Sequence, residues 1–350
     1  MKFKIYNDEY ANSIQNYLEN HPQYTVWHSK SWFNNRLTSK KITKIIAFSI
    51  EDTNTVIAAG VVQVVNKSRF FKYGYVQAGF LYDFIDDSVM NEILNGLKKC
   101  ADSEKLMYID IDSTGKYSDD YTNILKNINE YSLINIKPII PQFTTMINIK
   151  QTEDEILEQM KPKGRYNIKI ALKKGVTIRA SKSESDIRAF YTMLLETTLR
   201  DGFKPNDFEY YKSFVETING CVLLIAEHEG EIIAGGIFTY TGKQALYYYG
   251  ASSNNKRNCM APYLVQWEAI REGIKNSCEY YDFMGIQDPD KTDDPLAGVT
   301  DFKLKFGGSI VKFNNSIRIV TNEMKYIVFR NLFGIKNNIS NLYSFFHKIR

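Results

Sequence analysis

"IIAFSIEDTNTVIAAGVVQVVNKSRFFKYGYVQAG", residues 45–79, reads as strand, polar turn, strand with Ala-Gly, polar turn and aromatic strand with Tyr-Gly. "VLLIAEHEGEIIAGGIFTYTGKQALYYYGAS", residues 222–252, runs through the same order. Ala59-Gly60 and Ala234-Gly235 stand about 175 residues apart, as do Tyr73-Gly74 and Tyr249-Gly250, an offset that two copies of one unit leave behind. Two meanders of similar composition would imitate part of it.

The segments after the two meanders repeat as well. "DDSVMNEILNGLKKCAD" has apolar residues at helical spacing and leads into the short apolar strand "LMYIDID". "APYLVQWEAIREGIKNS" is again helical and leads into "YYDFMGI". The expectation is an α+β protein of two tandem domains, each a mixed sheet flanked by helices. The domains are placed at 1–148 and 149–315, with a C-terminal segment, 316–350, that returns to pack on the first. Near the boundary, Thr152 with Glu155 forms a capping box that starts a helix, and Pro162 with Gly164 is read as ending it.

Size agrees with two cores: 350 residues, 44% hydrophobic, is long for one domain. The net charge of +4 is modest and does not point to DNA. Cys100, Cys221, Cys259 and Cys278 have neither metal-ligand nor disulfide-framework spacing, and the four histidines do not cluster. No metal and no resident cofactor are therefore expected. With no apolar run near about eighteen residues and no secretory start, a cytoplasmic protein is expected.

Charge is lopsided locally. Residues 161–182 hold eight basic residues and no acidic one. On a helix, Arg165, Lys169 and Lys173 succeed one another at i, i+4 along one stripe, and Gly175 suits the left-handed closing position. That stripe is either solvated helix surface or a phosphate-binding face. Arg200 ends a second helix, capped by Ser183, where it either complements the macrodipole or grips an anion. Residues 303–350 carry nine Lys or Arg and one carboxylate, Glu323. "DFKLKFGG", residues 301–308, reads as an alternating strand whose lysines, Lys303 and Lys305, are either its wet side or a charge aimed at a ligand.

Motifs for nucleophilic chemistry are absent: no G-x-S-x-G, P-loop or G-x-G-x-x-G occurs. Asp110, Asp112 and Asp282 sit at strand ends, where α/β sites gather and where polar residues also ordinarily resume.

Taken together, "KGRYNIKIALKKGVTIR", "TTLRDGF", "ALYYYGAS", "APYLVQWEAIREGIKNSCEYYDFMGI" and "DFKLKFGG" resemble the FemABX family of non-ribosomal peptidyltransferases, and "SKSWFNNR" resembles its N-terminal segment. The resemblance implies two domains related to N-acetyltransferases (GNAT). It also implies transfer of an amino acid from aminoacyl-tRNA, as co-substrate, to the stem-peptide amine of a peptidoglycan precursor. The chain has no room for the coiled-coil arm of many members and is closest in size to the compact alanyl-transferring ones. Its acceptor would be a UDP-linked or lipid-linked muropeptide, with a transient membrane-surface association.

By that resemblance Phe302-Lys303 matches the family's Phe-Lys pair, the lysine favouring the oxyanion at the acyl carbonyl. Arg200 and Arg36 match residues that hold the acceptor's diphosphate. Arg36 departs from the lysine expected there. Tyr249 is a third acceptor contact, with Tyr247 and Tyr248 competing for the match. Asp110 is the favoured general base, with Asp112 or a water route as alternatives. Arg165, Lys169, Lys173 and Lys305 would meet tRNA phosphates. Competing functions are acyl-coenzyme A-dependent N-acyl transfer, which the missing R/Q-x-x-G-x-G/A pyrophosphate loop disfavours, and non-catalytic binding of RNA or muropeptide.

Overall fold

The computed structural model describes residues 1–7, 12–112, 132–201, 204–291 and 296–333. Two compact units emerge. The first holds Met1–Gln142 with the chain from Phe313 onward, and the second holds Phe143–Lys312.

In the first unit β1 (Lys2–Asn7), α1 (Asn12–Asn20) and α2 (Lys30–Thr38) precede the meander β2 (Lys44–Asp52), β3 (Thr55–Asn66) and β4 (Lys72–Val76). β5 (Leu81–Tyr82), α3 (Asp87–Glu104), β6 (Tyr108–Ile111) and β7 (Ser132–Ile136) come next. The second unit runs β8 (Phe143–Asn148), α4 (Glu153–Gln159), α5 (Pro162–Lys173), β9 (Thr177–Ser181), α6 (Glu184–Asp201) and α7 (Phe208–Thr217). It continues through β10 (Cys221–His228), β11 (Glu231–Thr241), β12 (Gln244–Ser252), α8 (Ala261–Lys275), β13 (Tyr280–Asp282), α9 (Ala297–Lys303) and β14 (Ser309–Lys312). β15 (Ser316–Val320) and α10 (Glu323–Phe333) belong to the first unit.

Apart from β5, which pairs with β3, the sheets correspond strand for strand, with orders β1-β2-β3-β4-β6-β15-β7 and β9-β10-β11-β12-β13-β8-β14. In each, the third meander strand pairs in parallel with the strand beyond the crossover helix: β4 with β6, β12 with β13. The final pair of each sheet takes one strand from each passage of the chain between units. β7 pairs with β15, and β8 with β14. The boundary therefore differs from the expected one. Residues 143–148, assigned on sequence to the first domain, form β8 and pair with β13 and β14 in the second sheet.

Helix chemistry explains the layers. Asp86 caps α3 by accepting from the Val89 N–H at 2.8 Å, and Lys105 closes it in the left-handed region. Between them Val89, Ile93, Leu94, Leu97 and Cys100 bury one face against Val62, Ile109 and Ile319 of the sheet. Each such side chain contributes about 1.5–3 kcal/mol of hydrophobic burial. In the second unit Leu264, Trp267 and Ile270 of α8 join Ile156, Ile168, Phe238 and Phe283 in one core.

Two local expectations are corrected. Pro162 does not end a helix. It opens α5, where its missing N–H costs nothing, while α4 has already stopped before Met160. "DFKLKFGG" is not a strand either: α9 runs into a 3-10 turn at Leu304–Phe306. Gly307 and Gly308 then take φ +84 and +88, and side chains there would strike the Gln159 and Met146 carbonyls.

Candidate functional site

In the second unit, β13 ends at Asp282, which is buried. Its Oδ1 accepts from Thr144 Oγ1 and, at 2.7 Å, from the Met284 N–H; its Oδ2 accepts from Gln244 Nε2 at 3.2 Å. The bond to Met284 shapes a turn with Met284 at φ 57. The turn's carbonyls receive Lys303: Nζ donates to Met284 O at 3.1 Å and to Gly285 O at 2.7 Å.

Lys303 is 6% exposed, and its Nζ lies 5.6 Å from the Tyr247 ring centroid. Burial pushes it down to about 7, against the pull of the Asp282 charge. Burial likewise raises Asp282, which its hydrogen-bond donors and Lys303 oppose. An ammonium has three donors, and the two carbonyls take two. Among the described residues no further acceptor atom is in hydrogen-bond contact with the Nζ, which faces the Tyr247 ring.

Helical geometry separates the two lysines that an alternating strand would place together. Phe302 packs edge-on against Tyr263 at 5.0 Å and Phe306 at 5.4 Å, anchoring α9 beside the lysine. Lys305 turns elsewhere and pairs with Asp301 one helical turn back. Its carbonyl accepts from the Lys161 N–H at 3.0 Å.

Tyr249 stands in an aromatic wall with Tyr211 and Phe214, its hydroxyl 2.9 Å from that of Tyr210. Burial holds its phenol well above the usual value, so the hydroxyl stays neutral. Arg200 falls in the last turn of α6, and its side chain lies outside the described residues.

Arg165 is reassigned. Its guanidinium donates to the carbonyls of Leu157, at 3.2 Å, Glu158, at 3.3 Å, and Met160. It caps the C-terminal end of α4 and is committed there. Lys169 and Lys173 are exposed on α5 and have no partner among the described residues.

In the first unit Arg36 is buried on α2, beside Trp32, whose ring centroid is 5.6 Å from its guanidinium carbon. Its Nε donates to Gln63 Oε1 at 2.8 Å, Gln63 Nε2 donates to Gln77 Oε1 at 3.2 Å, and Trp32 Nε1 donates to the same oxygen at 3.0 Å. This neutral relay fixes the guanidinium without neutralising it: among the described residues no carboxylate pairs with Arg36. The arrangement suits an anion.

Asp110, the favoured base on sequence, is corrected. Arg318 of β15 holds both its oxygens in a fork, each at 2.7 Å, and lies 3.8 Å from the Tyr108 ring centroid. A carboxylate so engaged is structural. Asp112 accepts from Ser316 and Tyr75, and burial pushes it up to about 6. Among the described residues no group of three His, Cys, Asp or Glu could hold a metal, and no helix is long and apolar enough to cross a membrane.

Asp282 was visible in the sequence only as one of three strand-end acids, and Arg318 as a charge inside the apolar alternation "SIRIV". Gln63 and Gln77 left no signal beyond their place in the meander.

The repeated α+β layer, with Lys303 at the end of α9 held by the turn that follows β13, can be set beside known proteins. The FemAB family matches residues 10–228 and 223–333. The chain belongs to the FemAB family of peptidoglycan-bridge transferases, and it is an aminoacyltransferase. A lipid II:glycine glycyltransferase of Staphylococcus epidermidis is 23% identical over 72% of this chain and 77% of its own. One from Staphylococcus aureus is 22% identical, over 72% and 78%. The crystal structure of FemX superposes with a TM-score of 0.80 at 16% identity, covering 94% of this chain and 99% of that one. A tandem GNAT protein from the clavulanic acid biosynthesis pathway gives 0.52 at 9% identity, covering 91% and 99%, which establishes a likeness of fold.

Proposed function

We propose that this protein transfers an amino acid from aminoacyl-tRNA to the stem-peptide amine of a lipid-linked muropeptide, working on the cytoplasmic side of the membrane. The observation that carries the reading is Lys303: a buried side chain whose Nζ donates to two backbone carbonyls of the turn after β13. A UDP-linked muropeptide is the alternative acceptor. The relatives named for lipid II favour the lipid-linked one, together with a transient contact with the membrane surface.

In the proposed step the stem-peptide amine attacks the ester carbonyl carbon, and the C–N bond forms as the carbonyl oxygen becomes negative. Lys303 donates its third N–H to that oxygen. The C–O bond to the tRNA ribose then breaks, and the amine proton passes to the departing hydroxyl, directly or through water. An ester activated by tRNA needs alignment and charge stabilisation rather than a protein nucleophile. Phe302 keeps α9 in register. In the second unit Arg200 and Tyr249 are the proposed acceptor contacts, and Lys169 and Lys173 meet tRNA phosphates. Arg36, in the first unit, is by itself a proposed anion contact.

The test is to incubate purified protein with aminoacyl-tRNA, lipid II, UDP-linked muropeptide and acetyl-coenzyme A, and to weigh the products. Aminoacylated lipid II is the expected product. Acetylated product instead would assign an acyl-coenzyme A-dependent enzyme, and binding without any product a non-catalytic one.

A further inference from the structure

The glycines of "IIAGGIF" and "YYYGAS" meet across two strands of the second sheet, where Gly236 of β11 stands opposite Gly250 of β12. The next pairs are Ile237 with Tyr249 and Phe238 with Tyr247, so Tyr248 is the extra residue of a β-bulge. A regular strand would place Tyr247 and Tyr249 on one face. Because side chains alternate along β11, the bulge sends them to opposite faces instead. Tyr249 joins Tyr211 and Phe214 of α7, whereas Tyr247 stacks on Phe238, with centroids 5.4 Å and planes 24° apart, in the core that α8 covers.

The glycine pair makes room for those two rings. A Cβ on Gly236 would lie 2.6 Å from Phe238 Cζ, and one on Gly250 would lie 1.6 Å from the Tyr247 hydroxyl oxygen. The Lys303 Nζ stands over the Tyr247 ring, 5.6 Å from its centroid.

We propose that Tyr247 is a positioning residue for Lys303: its ring, turned inward by the bulge and seated over the Gly236–Gly250 pair, holds the ammonium in place. The face of an aromatic ring is the negative end of its quadrupole and attracts a cation that water no longer reaches. The carbonyls of Met284 and Gly285 accept from the same nitrogen, so turn and ring together fix where the charge sits. Among the described residues Asp282 is the charged group that acts on Lys303, while Asp301, on the lysine's own helix, pairs with Lys305. Burial keeps the Tyr247 phenol neutral, so the ring acts through its face and not through a phenolate. The consequence for transfer rests on the proposed role of Lys303; the contact itself does not.

The experiment is a 13C NMR titration of the Lys303 εCH2 in the full chain, assigned by its loss in Lys303→Ala. It is read beside the kcat–pH profile and the KM for transfer from aminoacyl-tRNA to lipid II. Tyr247→Phe keeps the ring and should titrate with the parent. Tyr247→Leu keeps the site apolar but removes the ring. Its lysine should titrate at least about half a pH unit lower, the alkaline limb of kcat moving with it and KM staying put. Mono- and trifluorinated phenylalanine at position 247 nearly preserve the shape while drawing charge from the ring face, so the titration should fall step by step along that series. Unfolding curves verify that each variant folds. A titration unmoved in folded Tyr247→Leu, or one that does not follow the fluorine series, would overturn the proposal and leave Tyr247 as core packing. Normal transfer by folded Lys303→Ala would fail the catalytic reading alone, because the titration reads the contact without turnover.

Discussion

Asp282 and Lys303 are joined through a backbone turn rather than by a direct ion pair. The carboxylate holds the Met284 N–H at 2.7 Å, and the carbonyls of Met284 and Gly285 hold the lysine Nζ at 3.1 and 2.7 Å. The turn thus fixes the amine's position, and the acid's charge tunes its protonation.

Asp282→Asn keeps an oxygen for the Met284 N–H but removes the anion that supports the ammonium. Lys303, already pushed down to about 7 by burial, should fall further. With the ammonium as the active form, the alkaline limb of the kcat–pH profile moves to lower pH and neutral-pH turnover drops about tenfold. A 13C NMR titration of the lysine εCH2 gives the same shift without turnover. An unmoved titration in the folded variant would assign Asp282 to structure alone.

Lys303 should also cost stability. Its folded pKa lies below the ordinary 10.5, so between about pH 7 and 10.5 the unfolded chain binds the extra proton and stability rises with pH. Lys303→Met escapes this penalty. Its unfolding free energy should exceed the parent's most at about pH 7 and below, with the gap closing toward pH 10.5. Denaturant curves at about pH 6.5, about 8 and about 9.5 check the trend. An equal gap at every pH would contradict a desolvated lysine.

Arg318→Met strands Asp110 in the first sheet without its guanidinium. A broken buried pair costs about 3–5 kcal/mol, so urea unfolding should show a large loss. Asp110→Asn, once shown to fold, should keep transfer activity within about threefold, whereas loss of a general base costs about 10² or more. A folded but inactive Asp110→Asn would restore the base reading.

On α5 the three basic residues should behave differently. Lys169→Gln and Lys173→Gln should each lower the logarithmic salt slope of aminoacyl-tRNA binding by roughly one, while Arg165→Gln leaves the slope alone and lowers stability through the lost cap of α4. Salt-titrated binding curves, read beside thermal unfolding, separate the two effects.

The duplicated meander was legible in the sequence because β2–β3–β4 and β10–β11–β12 write the same alternation, turns and glycines into both halves. α9 was not, because Phe302, Leu304 and Phe306 satisfy period two in a strand while Phe302 and Phe306 also sit i, i+4 on a helical path, both against Tyr263. The Asp110–Arg318 pair joins β6 to β15, strands that enter one sheet from opposite ends of the sequence. No local pattern encodes such a partner. Arg165 misled for a related reason: its spacing matched a basic stripe, but its guanidinium folds back to the carbonyls of the preceding helix.

The most direct measurement is single-turnover transfer at saturating aminoacyl-tRNA and muropeptide acceptor, comparing the parent with Lys303→Ala and Lys305→Ala and recording an unfolding curve for each. Loss of the oxyanion donor in Lys303→Ala should slow the chemical step on the order of 10²–10³, while Lys305→Ala, which breaks contacts with Asp301 and Tyr263, stays close to the parent. Parent-like chemistry in folded Lys303→Ala would contradict the assignment of Lys303 as the catalytic charge.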